Sequence, residues 1–118
     1  MAGITLHGIP NCDTVKRARA WLAAQGVDYD FHDFKKNGVP DSLPEWIDKL
    51  GWETLLNRKG TTWRKLDDAQ REAVHDAASA RALMLAQPSV IKRPVLQWPD
   101  GRVTAGFDAA DWAQRLKG

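Results

Sequence analysis

Thr5-Leu6-His7-Gly8-Ile9-Pro10-Asn11-Cys12-Asp13-Thr14-Val15-Lys16-Arg17 changes its hydrophobic period across residues 8–12, and that change decides how the chain folds. Residues 4–7 are short, apolar and alternating, the pattern of an inner strand. Beyond the change, Val15, Ala18 and Leu22 recur at i, i+3 and i+7, the spacing of one helix face, while Lys16, Arg17 and Arg19 point mostly outward. Gly8, Pro10 and Asn11 make the junction a turn, and turns ahead of helices commonly face solvent. Cys12, the only cysteine in the 118 residues, falls at this junction. A free cysteine is ordinarily an inert core residue. At a helix start, however, its sulfur meets unpaired backbone N–H groups and the positive end of the helix dipole, and both favour the thiolate. The same N–H groups can hold an oxyanion beside it.

Outward from this segment, Gly26 ends the first helix, and Val27, Tyr29, Phe31 and then Asp33-Phe34 predict a second strand. Residues 36–40 form a turn, and Asp41 or Ser42 can cap a helix running through Leu43, Trp46, Ile47 and Leu50. Gly51 closes that helix, and a short one through Trp52, Leu55 and Leu56 follows. Residues 58–66 read as a loop leading into one helical turn. From Asp68 to about Ala86 the chain reads as an alanine-rich helix broken near Ser79 and stopped by Pro88. Residues 90–98 enter a strand, with Pro94 near its beginning or at an edge. Residues 99–102 form a hairpin turn to the partner strand, residues 103–105. Asp108 can cap a last helix through Ala110, Trp112, Ala113 and Leu116. The order βαβ, helical block, ββα predicts an α/β fold with a four-stranded mixed sheet, its first two strands parallel through a right-handed crossover. This is a thioredoxin-like arrangement, read as a single domain over residues 1–118 with a helical insertion at about 40–88.

Composition narrows the function. One cysteine cannot form an intrachain disulfide, so a reducing compartment is expected. The amino terminus has no basic segment followed by an apolar stretch, and no apolar run of about 18 residues occurs. A soluble, cytoplasmic protein with no membrane association is expected. Seventeen Lys and Arg against fifteen Asp and Glu leave a formal charge of +2, too little to imply nucleic-acid binding. The local clusters say more: Lys16, Arg17 and Arg19; Arg58, Lys59, Arg64 and Lys65; and Lys92-Arg93. If two of these converge on Cys12 they make an anion pocket. His7, His32 and His75 lack close ligand spacing, so no metal site is expected. His7 is expected to be a packed or hydrogen-bonded strand residue, and Trp63, after the basic loop, is placed to wall a cleft.

Asn11-Cys12-Asp13-Thr14-Val15-Lys16, Arg58-Lys59-Gly60-Thr61, Ile91-Lys92-Arg93-Pro94 and Gly106-Phe107-Asp108 together resemble the arsenate reductase (ArsC)-like family of thioredoxin-fold proteins. Gly60-Thr61-Thr62-Trp63-Arg64-Lys65-Leu66 is similar to its YffB-like branch, and the resemblance covers nearly the whole chain. It implies that the Cys12 thiolate attacks an arsenate oxyanion or the sulfur of a mixed disulfide. Asn11 can donate to the same anion through its amide, and the Thr14 hydroxyl is expected to donate to the sulfur. Arg58 and Arg93 match two of the three arginines that enzymatic members place around the oxyanion, with Arg64 competing for the mid-chain role. Pro94 resembles the cis-proline that faces the cysteine in such folds. For the third arginine, just after the last strand, this chain has Gly106-Phe107, and Arg102 lies at the other end of that strand. With no second cysteine, a redox cycle must borrow an external thiol; the resemblance implies glutathione as co-substrate and no bound cofactor. Three activities are implied: a glutathione-dependent thiol reductase acting on glutathionylated substrates, a regulatory module that binds a protein partner, and an arsenate reductase weakened by the missing arginine.

Overall fold

The change of period at residues 8–12 becomes a strand, a turn and a helix in the computed structural model, which describes residues 3–117, the side chain of Lys35 excepted. Strand β1 (Thr5–Gly8) leads into helix α1 (Asp13–Ala24), and Gly26 follows the helix with a φ of 69°, a left-handed conformation suited to glycine. Strand β2 (Asp30–Asp33) lies parallel to β1, with His7 opposite His32 and Gly8 opposite Asp33. Strands β3 (Val95–Gln97) and β4 (Val103–Ala105) complete a mixed sheet of order β2-β1-β3-β4. Strand β3 runs antiparallel to both β1 and β4. The sheet class and the parallel crossover are as the sequence predicts.

The chain divides into two compact units, one joining the segment up to Asp33 with that from Arg93 onward, the other spanning Phe34–Lys92. In the sheet unit, period-two alternation puts Ile4, Leu6, Leu96 and Trp98 on one face. They bury against Val15, Ala18 and Leu22 of α1 and Trp112 of the last helix. Trp112 meets Phe107 at 4.8 Å, Trp98 at 5.8 Å and Trp21 at 5.9 Å between ring centroids, all edge-on as aromatic quadrupoles prefer. Asp108 accepts the Asp111 N–H at 3.1 Å, the cap expected for the last helix.

The other unit is helical: α2 (Phe34–Asn37), α3 (Leu43–Leu50), α4 (Trp52–Leu55), α5 (Thr61–Lys65), α6 (Asp68–Glu72) and α7 (Ala77–Ala86), then a 3₁₀ turn (Pro88–Val90). The last helix of the chain is α8 (Ala109–Lys117). Several boundaries differ from the sequence expectation: β2 begins at Asp30 rather than Val27, α2 takes up part of the expected 36–40 turn, and three more have a visible cause. Phe34 begins α2 instead of ending β2, because its ring is buried in the helical unit beside Trp46, 6.3 Å between centroids. Ile91 bridges Leu56, and Lys92 donates to the Leu55 carbonyl at 2.7 Å, so this segment closes the helical unit and β3 starts only at Val95. The break in the alanine-rich stretch falls at 73–76, where Asp76 caps α7 and Ser79 answers in a reciprocal capping box. No helix among the described residues is long and apolar enough to cross a membrane.

Candidate active site

Glycine 8 brings the end of β1 hard against the first turn of α1: a Cβ there would lie 2.8 Å from Cγ2 of Val15. The chain then turns, Cys12 N–H donating to the Ile9 carbonyl at 3.1 Å, and Cys12 itself becomes the N-cap with φ −79° and ψ 125°. Its carbonyl accepts the Lys16 N–H at 2.9 Å, which opens the helix. The half-buried Cys12 sulfur sits at the open amino end of α1, near the Thr14 and Val15 N–H groups but without a cap hydrogen bond of ordinary geometry to either.

Arg93 approaches that end. Antiparallel pairing sets His7 opposite Val95, so the residues just before β3 lie at the same end of the sheet as Gly8 and Cys12. The Arg93–Pro94 peptide bond is cis, and the Arg93 guanidinium stands by the Cys12 sulfur, where its N–H groups and its charge favour the thiolate. Partial burial pushes the thiol pKa up, but the Val15 N–H, the Arg93 N–H groups and charge, and the Thr14 N–H together outweigh it and hold the pKa below its ordinary value. Thr14 acts on the sulfur through its amide, not through the hydroxyl expected from its residue type. Val15 was not legible as a site residue, because its contribution is a backbone N–H; only its position three residues into the helix signals it.

The remaining candidates fall in different places. Asn11 is exposed in the turn ahead of Cys12. Pro94 is buried, and its carbonyl accepts the Gly106 N–H at 2.9 Å. That bond puts Gly106-Phe107, the stretch in which the resemblance expects a third arginine, beside the cis-proline, and Phe107 packs on Trp112. Arg102 sits at the opposite end of the hairpin, its carbonyl accepting from Trp98 and its guanidinium 3.5 Å from Asp100. Arg58 and Arg64 belong to the helical unit, both exposed; the Arg58 guanidinium lies over Trp52 at 5.4 Å, and Arg64 is in the last turn of α5. Trp63 is half-buried in α5.

His7 lies on the sheet face opposite α1, 4% exposed, with Nε2 2.8 Å from Oε1 of Gln97 and its ring 5.1 Å from that of His32. It is the hydrogen-bonded strand histidine expected. Burial lowers its pKa to about 4, the Gln97 bond opposing and His32 adding to the shift. Among the described residues no group of three or more His, Cys, Asp or Glu gathers as metal ligands would.

A sequence model of the ArsC family matches residues 7–115. The solved structure of a YffB protein superposes with a TM-score of 0.89 at 52% identity, covering 96% of this chain and 98% of that one. An uncharacterized protein of Haemophilus influenzae is 36% identical over 110 residues, 92% of this chain and 95% of its own. The global transcriptional regulator Spx of Streptococcus pyogenes is 28% identical over 111 residues, 89% of this chain and 78% of that protein. A cysteine capping the first helix of a β2-β1-β3-β4 sheet, a cis-proline before β3 and a family match along nearly the whole length agree: the chain belongs to the ArsC family.

Proposed function

We propose that this protein is a glutathione-dependent thiol reductase working through Cys12. Family membership supports an oxidoreductase of thiol-reductase or arsenate-reductase type. The observation that carries the narrower reading is the pairing of one activated thiol, held by Arg93 and the α1 amides, with the lack of any second cysteine in the sequence. In the first step the Cys12 thiolate attacks the glutathionyl sulfur of a mixed disulfide. A Cys12–glutathione disulfide forms, and the substrate thiolate leaves and takes a proton from water. In the second step a glutathione thiolate attacks that glutathionyl sulfur, releasing glutathione disulfide and restoring Cys12. The substrate sulfur is reduced and one glutathione thiol is oxidised, joining the glutathionyl group taken from the substrate, so the atoms and electrons balance and no bound cofactor is needed. Arsenate reduction is favoured less, because a half-buried Phe107 packs on Trp112 where the family resemblance expects a third cation. Similarity to a transcriptional regulator supports a partner-binding reading as the second choice. Turnover of a glutathionylated peptide with glutathione, lost in Cys12→Ser with unchanged circular dichroism, is the expected result. An ordinary thiol acidity together with no turnover overturns the reading, and a partner complex that survives Cys12→Ser favours the second.

A further inference from the structure

We propose that the flank of α1 descending from Cys12 through Lys16 to Arg19 selects substrates by charge, favouring a disulfide carried among carboxylates. This deepens the thiol-transfer reading and rests on it. Positions 12, 16 and 19 are spaced i, i+4 and i+7 and therefore share one side of the helix, next to the buried stripe of Val15, Ala18 and Leu22. Lys16 is exposed one turn below the sulfur, and among the described residues it forms no ion pair or side-chain hydrogen bond. Arg19 is held in place: its Nε donates to the Tyr29 hydroxyl at 2.9 Å and its guanidinium lies 4.2 Å from the Phe31 ring centroid. A fixed charge is a better selector than a waving one, because less freedom is lost when the ligand arrives.

Negative groups near the flank are few. Asp13 is turned roughly 100° around the helix from Cys12 and stands three residues before Lys16, so it borders the flank, but the two form no ion pair. Asp33 ends β2 opposite Gly8, on the same sheet face as Phe31. Against these two carboxylates stand Lys16 and Arg19 along the flank and Arg93 at its head. An incoming disulfide that bears carboxylates is drawn toward the sulfur; one that bears ammonium groups is repelled. In the attacking step the Cys12 thiolate forms a bond to one sulfur of the disulfide, the S–S bond breaks, and the second sulfur departs as a thiolate that takes a proton from water. The attraction acts on the approach and on that anionic leaving group alike.

The test uses small disulfide reagents and needs no physiological substrate. Single-step rates of Cys12 are measured at one pH and low salt with dianionic dithiobis(nitrobenzoate), uncharged dithiodipyridine and cationic cystamine. The ratio of rates for one variant cancels its thiolate fraction, so a change in thiol acidity does not imitate charge selection. Lys16→Gln is expected to slow the dianionic reagent about two- to threefold and Lys16→Glu about fivefold or more, with the uncharged reagent nearly unchanged and cystamine accelerated. Lys16→Arg is expected to restore the wild-type ratio, and roughly 0.5 M salt to erase the difference. Equal changes for all three reagents, or no change in the ratio for Lys16→Glu, overturn the proposal. Absence of turnover on glutathionylated peptide bears instead on the thiol-reductase reading and leaves these ratios untouched.

Discussion

Arg93 joins charge to geometry at the sulfur, so its replacement separates the two. Arg93→Ala removes the guanidinium N–H donors and a full charge from beside the thiolate, leaving burial opposed only by the α1 amides. The thiol pKa is then expected to rise toward the ordinary range, and alkylation near neutral pH to slow about tenfold for each unit of that rise. Arg93→Lys keeps the charge without the planar fork and should fall between the two. A pH–rate profile of iodoacetamide reaction checks both. His7 offers the second measurement at this scale. Its folded pKa of about 4 lies below the usual 6.5, so the unfolded chain binds the extra proton first as pH falls. The stability is fully present above about pH 6.5, declines as pH drops toward 4 and is constant below, a total of roughly 3 kcal/mol. Urea unfolding across that window should show the slope in the wild type and a reduced one in His7→Gln, which retains a donor for Gln97.

Elements place these residues, and the tightest joint is that of β1 with α1. Gly8→Ala sets a methyl group 2.8 Å from Cγ2 of Val15, so strand and helix must part or Val15 must move. A cost of about 1–3 kcal/mol is expected, together with slower Cys12 alkylation, because the helix start carries the sulfur. Val15→Ala in the same chain vacates the colliding methyl and should recover part of the alkylation rate, a coupling that thermal melts and a double-mutant cycle would detect. Local chemistry made this joint readable: Gly8, Pro10 and Asn11 interrupt one period, and Val15 starts the next. Where local chemistry is ambiguous, packing overrides the pattern. Phe34 continues the alternation of β2 on paper, yet its ring is claimed by Trp46. Ser79 reads as a helix breaker by residue type, yet it is the reciprocal partner of the Asp76 cap.

At the scale of the whole molecule, a lone cysteine in an ArsC-family chain makes the proposed redox cycle depend on a second molecule. Oxidised glutathione is expected to leave one glutathionyl adduct per chain, stable by mass spectrometry until an external thiol is added, and absent in Cys12→Ser. Spontaneous loss of the adduct without added thiol would contradict that dependence. The sequence by itself determined the sheet class, the parallel crossover, the cysteine at a helix start and the lack of a resolving thiol. Each of these follows from residue type or from periodicities spanning a few residues. Only the tertiary structure decided that Arg93, eighty-one positions along the chain, meets Cys12, because strand register carries it there. It also decided that backbone N–H groups of Val15 and Thr14, rather than a hydroxyl, support the thiolate. Backbone amides carry no residue signature, and contacts between distant segments follow from how strands pair.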